Sequence, residues 1–240
     1  MGFLAIVLAV WQIGGDDSTR LGLPTLTRTL SSALDLTTTG ELPRGLAQSN
    51  LAMVAGYLLA LLVAVPLGLA MGSLGWVGRL TRPYLVALIA IPMIAILPLI
   101  QAIFGLGLGS RIVVVFLFAF VYIALNAEVG ARTVPPQLRE MAHSFGASRS
   151  QVLRTVVLPH AFPVIMAGAR LGLGRAITGM VLAELFLVSS GIGSVLSFYR
   201  TRFDSGAVFA IILALVLEGV VIMALARMLE RRLVRHGDGR

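Results

Sequence analysis

The chain has no cysteine and, although nineteen of its residues are basic, no lysine: every cation is arginine. Without cysteine there are no disulfides and no thiolate metal sites. Without lysine there is no standard P-loop, whose lysine sits on nucleotide phosphates. Charge is scarce as well, at 12% of 240 residues, against 58% hydrophobic residues and a mean hydropathy of +0.94. No ordinary soluble class has that balance. The three histidines, His143, His160 and His236, are scattered over loop and tail positions, which points to solvated or capping roles and away from a metal cluster.

What is present instead is a series of apolar stretches, from about Asn50 to Gly72, Tyr84 to Gly105, Ile112 to Gly130, Val164 to Ser189 and Ala207 to Ala226. Each is near the ~20 residues that cross a bilayer as a helix. A sixth, Gly2 to Gly14, is read as a short or tilted first span, with a cleaved signal or a mis-assigned start as the alternatives. The expected fold class is all-α, a polytopic membrane protein of about six transmembrane helices forming one domain over residues 1–240, with an outer segment at about 15–49. Leu26 to Leu36 is expected to form a short interfacial helix in that segment.

Arginine placement sets the orientation, because positive charge is retained on the cytoplasmic side in short loops. With both termini inside, the cytoplasmic segments (Ser73 to Pro83, Ala131 to Pro163, Arg227 to Arg240) hold eleven arginines and the outer ones six. Both sets total 58 residues, so length does not explain the bias. The net charge of +8 is read as topology and contact with lipid headgroups, not as a nucleic-acid surface.

The longest inner loop, about residues 131–163, is the most informative segment. Pro135 and Pro136 suit a helix start, Leu138, Met141, Ala142 and Phe145 recur at helical spacing, and Gly146 suits a left-handed C′ position. Ser148 with Gln151 reads as a capping box opening a second helix that carries Val152, Leu153, Val156 and Val157. Leu158 with Pro159 is expected to end it. A DNA-reading helix-turn-helix has similar local features, but apolar spans on both sides argue against it.

Elsewhere Ala52, Gly56, Ala60, Ala64, Gly68 and Gly72 recur every fourth residue, a stripe that lets helix backbones approach closely and is expected to be a packing seam. Pro66 lies within the same stretch, and Pro92 and Pro98 are expected to bend the third span and are pathway candidates. Charges inside apolar stretches are Glu128, Arg170, Arg175, Glu184 and Glu218. Arg170 and Glu184 are too far apart on one helix to pair, so each needs another partner. Arg170 and Arg175 are expected near lipid headgroups, and Glu128 beside loop arginines. Glu184, set deepest, is the pathway or gate candidate.

The loop resembles the EAA loop of permease subunits in ATP-binding cassette importers: Glu-Ala-Ala, three residues, Gly, nine residues, Ile, one residue, Leu-Pro. Glu140, Ala142, Gly146, Leu158 and Pro159 keep that spacing, with Met141 and Val156 as apolar departures. "LPTLTRTLSSAL", "VPLGLAMG", "GARLGLGRAITGMVLAEL", "GIGSVL" and "LERRLVR" resemble the nitrate, sulfonate, taurine and bicarbonate importer group, which also includes transporters of pyrimidine-type vitamin precursors. The resemblance implies that Glu140, Met141, Ala142, Gly146, Ala147, Leu158 and Pro159 contact an ATPase subunit. It also implies a second permease copy, expected as a homodimer, two cytoplasmic ATP-binding cassette subunits carrying ATP and magnesium, and an extracytoplasmic solute-binding protein. The expected location is a bacterial or archaeal cytoplasmic membrane, and the chain itself is not expected to be an enzyme. The segment "IPMIAILPLIQAIFGLG" departs from the group's Pro-Pro-rich stretch ending in Trp-Phe-Gly, so substrate identity stays open. A coupling component of energy-coupling-factor vitamin importers, and a secondary transporter or channel, remain the alternatives.

Overall fold

The computed structural model describes residues 2–16, 22–187 and 190–235. Asp17, His236 and the expected span end at Ser189 lie outside them. Among the described residues every regular element is helical: α1 (Gly2–Gly14), α2 (Leu26–Thr38), α3 (Glu41–Ser73), α4 (Gly75–Ala90), α5 (Met93–Phe104), α6 (Leu108–Arg132), α7 (Pro136–Ser144), α8 (Arg149–Val152), a π-helical turn (Leu153–Val157), α9 (Leu158–Leu187), α10 (Ile192–Thr201) and α11 (Ser205–Arg235).

Among the described residues four helical bodies are long and apolar enough to cross a membrane: α3, α6, the run Arg149–Phe186 and α11. The α4–α5 pair makes a fifth if its two halves are one broken span, bent by 103°. The expected single kinked helix from Tyr84 to Gly105 is therefore corrected to two helices. The cause is local: Ile91, before Pro92, takes an extended backbone with ψ 128°, as residues before proline do. Pro92 then caps α5, while Pro98 stays inside it without a break. The thirteen residues of α1 span only ~20 Å at 1.5 Å per residue, less than a ~30 Å hydrocarbon core. The α1 helix is tied down by Trp11, whose Nε1–H donates to the Pro24 carbonyl at 3.0 Å, and by Gln12, which accepts from the Thr27 N–H.

The core is α3 and α9 packed on the two sides of α6. The small-residue stripe of α3 faces α6 inside this one chain. Ala52, Ala60 and Ala64 are fully buried, and a Cβ at Gly56 would lie 2.7 Å from the Ile112 carbonyl and from Val115. At Gly68 it would strike the Ala124 carbonyl. On the other side, Gly168 abuts Asn126 and Gly172 abuts Ile123, so the GxxxG pair of α9 is also a seam against α6. Helices that lack a hydrophobic drive between them in lipid associate through such close approach.

Candidate functional site

The connection between α6 and α9 forms a compact projection. Pro136 occupies the first turn of α7, and the helix ends in a Schellman motif: the Ala147 N–H donates to the Ala142 carbonyl at 3.0 Å and the Gly146 N–H to that of His143 at 2.9 Å. Gly146 has φ +79° with open space around its Cα. Its glycine is therefore a requirement of backbone conformation, not of room. Ser148 and Gln151 exchange both bonds of a capping box at the start of α8.

Pro159 does not end this second helix, contrary to the reading from sequence. The chain widens into the π turn, where the Leu158 N–H reaches back to the Leu153 carbonyl, and α9 follows without a break. A proline in a regular α-helix clashes with the carbonyl four residues earlier; opening the turn just before it removes that conflict. The loop helix and the next span are consequently one continuous lever.

The α7 helix buries none of its residues. Glu140 is exposed, Met141 is 54% and Phe145 84% exposed, while Ala142 and Ala147 lean on a cluster that includes Val134, Val152, Val157 and Ala161. Arg139 donates to the Ala131 carbonyl, tying α7 to the end of α6. A cavity of about 790 Å³ separates the loop from the end of α3, lined by Pro66, Leu69, Trp76, Arg139, His143 and Arg149 among others. Leu158 and Pro159 are exposed at the joint. The exposed face is thus apolar at its centre, propped off the body and held by capped ends.

The intramembrane charges are brought together in ways the sequence did not reveal. Glu184 is buried, and Arg111 Nη1 meets its Oε1 at 3.2 Å. Its Oε2 accepts from Ser49 Oγ at 2.8 Å and from the Gly193 N–H at 3.1 Å. The Ile192 N–H donates to Ser49 Oγ and the Gly191 N–H to Gln48 Oε1. Gly191 has φ +82°, and any Cβ there would collide with the Glu184 carboxylate. The carboxylate therefore caps the N-terminus of α10, where negative charge is favoured, and ties α3, α6, α9 and α10 together. It lies three residues before the end of α9 at Leu187, so it is not the deepest charge. Arg111 was missed because hydropathy places it in a loop; Ser49 and the whole of α10 carried no signal beyond the "GIGSVL" segment.

Glu128, fully buried, meets Arg132 Nη2 at 2.9 Å and Arg82 Nε at 3.3 Å, which is the expected setting among loop arginines. Arg170 pairs with Glu230 at 2.7 Å, and Glu218 accepts from Asn50. Arg175 has an aromatic partner that the sequence did not reveal. It sits midway along α9 with its guanidinium 4.5 Å from the centre of the Tyr122 ring, itself midway along α6. Among the described residues no group of three or more metal-ligating side chains comes together.

Residues 56–235 match the family described as "Binding-protein-dependent transport system inner membrane component". The chain is 32% identical to the taurine transport system permease protein of Escherichia coli, over 99% of this chain and 90% of that protein. It is 40% identical to the riboflavin transport system permease protein of Chloroflexus aurantiacus over 67% of this chain, spanning 60% of that relative's length. Among solved structures, a chain of the inward-facing MetNI methionine ABC transporter superposes with a TM-score of 0.69 at 21% identity, covering 82% of this chain and 95% of that one, a likeness of fold.

Proposed function

The chain belongs to the family of inner membrane components of binding-protein-dependent transport systems, and from that premise we propose how it is driven. Two copies form the translocation pathway of an importer, and the exposed face of α7 receives a separate cytoplasmic ATPase subunit that binds ATP and magnesium. Glu140, Met141, Ala142, Gly146, Ala147, Leu158 and Pro159 make up that contact. The observation that carries the reading is Phe145, a large apolar side chain left 84% exposed at the C-cap of a helix that buries nothing of its own. Projecting aromatic anchors with rigid surroundings are the usual energetic centre of an interface. The arginine bias supports a cytoplasmic loop and two cytoplasmic termini in a bacterial or archaeal cytoplasmic membrane.

The solute arrives from an extracytoplasmic binding protein. Its class is a small molecule such as a sulfonate, nitrate or bicarbonate anion, or a pyrimidine-type vitamin precursor, in keeping with relatives named for taurine and riboflavin. Glu184 is proposed to hold the outer end of the assembly, a positioning role beside the pathway, with Pro92 at the break that shapes it. The contact is tested by Phe145→Asp: the variant should insert normally, yet lose most of the ATPase subunit on co-purification. Unchanged recovery of that subunit would remove α7 as the docking element.

A further inference from the structure

Arg175 lies within an apolar span, and no described carboxylate comes within ion-pair distance of it. Among the described residues it makes no ion pair: Glu128 is held by Arg82 and Arg132, Glu184 by Arg111, and Glu230 by Arg170. Glu218 is bonded to Asn50. Its one recorded partner is the face of Tyr122, a contact that is weak beside a carboxylate. Yet Arg175 is exposed, seventeen residues into α9 and twelve from its end, which puts it ~18 Å or more from either helix terminus at 1.5 Å per residue. An unpaired guanidinium facing lipid at that depth is costly, and such groups face a wet cavity or a bound partner.

A second observation points to the same place. A cavity of about 180 Å³ is lined by Arg175 and Tyr122 together with Leu88, Ile91 and Met93 at the α4–α5 break and Phe118. Ala90, Ile91 and Pro92 at that break are exposed and non-helical from Ile91 to Pro92. Irregular backbone at membrane depth is tolerated only where protein covers it or water reaches it. The unpaired cation and the broken helix thus flank one small space.

We propose that this space is an anion subsite in the translocation pathway, in which Arg175 binds the acidic group of the transported solute and Tyr122 holds the guanidinium in place. Resting on the transport reading above, it narrows the solute to one carrying a sulfonate, carboxylate or comparable oxyanion. A planar guanidinium presents paired donors that match such groups, and the apolar walls at Leu88, Met93 and Phe118 take the remainder of a small molecule.

The missing cysteine makes the test direct, because Met93→Cys introduces the chain's single thiol. The whole permease–ATPase complex in lipid nanodiscs is labelled with an anionic sulfonatoethyl methanethiosulfonate and with its cationic trimethylammonium counterpart, read on the permease chain. The anionic reagent should react faster by roughly ten-fold, the order expected of one unit charge a few ångströms away in a partly wet site. Methanesulfonate should protect the thiol saturably; dimethyl sulfone, its neutral near-isostere, should not. Arg175→Gln should abolish both the preference and the protection, and Arg175→Lys should keep the preference. No labelling, labelling without charge preference, or equal protection by the two small molecules each overturns the subsite. If Arg175→Gln fails to assemble, protection on the arginine-bearing chain decides. Binding-protein-stimulated ATP hydrolysis by the same preparation separates the two claims. Stimulation with failed labelling leaves transport standing and removes Arg175, whereas its absence from the parent complex contradicts the transport reading and the pathway role with it.

Discussion

Glu184 illustrates what a buried charge does when every one of its oxygens is occupied. Arg111, Ser49 and the Gly193 N–H together satisfy it, and removing one member of a buried pair leaves the other uncompensated, typically at a cost of ~3–5 kcal/mol. Glu184→Gln is therefore expected to lower the thermal stability and subunit recovery of the purified complex before it affects uptake by whatever complex survives. A double variant, Glu184→Gln with Arg111→Met, removes both charges and should recover part of the loss. Full stability of the single variant would show that the network is not an anchor, and lost uptake at full stability would return Glu184 to the pathway. This pairing could not be read from the chain. Arg111 and Glu184 are 73 positions apart, and hydropathy assigns the arginine to a loop. Gly146 and the Ser148–Gln151 box were legible because their chemistry is settled within a few residues, by left-handed backbone and by reciprocal capping.

At the level of elements, the α3–α6 seam depends on side chains that are absent or nearly so. Periodicity alone exposed the stripe of α3, since the four-residue spacing of Gly56, Ala60, Ala64 and Gly68 lies in one segment; its partner helix could not be named without the fold. Gly56→Leu should push α3 off the Ile112 carbonyl and Val115, and Ala60→Leu, at a fully buried position, should do the same. Overpacking of this kind commonly costs ~1–3 kcal/mol. The measurable result is reduced yield and a lower unfolding temperature of the detergent-solubilised assembly. If both variants purify intact with unchanged stability, this face does not carry the packing. The failures of sequence reading at this scale are both proline effects. Pro92 separates α4 from α5 where a mere kink was expected, and Pro159 is absorbed by a π turn where a stop was expected. The rule for proline presumes a regular α pitch, and the structure changes the pitch at one site and abandons the helix at the other.

At the scale of the whole molecule, the π turn joins the loop to the span that follows it. Because α8, the π turn and α9 run without interruption from Arg149 to Phe186, the docking proposed for α7 would pass movement through the turn at Gly146 and Ser148 into a helix that packs on α6 and carries Arg175 and Glu184. The membrane-embedded fold and the loop's capped ends were both evident in composition and local pattern. The continuity between loop and span was not, since it depends on how one proline is accommodated. The measurement that tests this account most directly is the ratio of solute imported to ATP hydrolysed by reconstituted vesicles carrying Gly146→Val, with the binding protein supplied. Valine at φ +79° is strained and should change the angle between α7 and α8 while membrane insertion stays normal. The account predicts that import per ATP falls several-fold. Import and binding-protein-stimulated hydrolysis both at the parent level would contradict it.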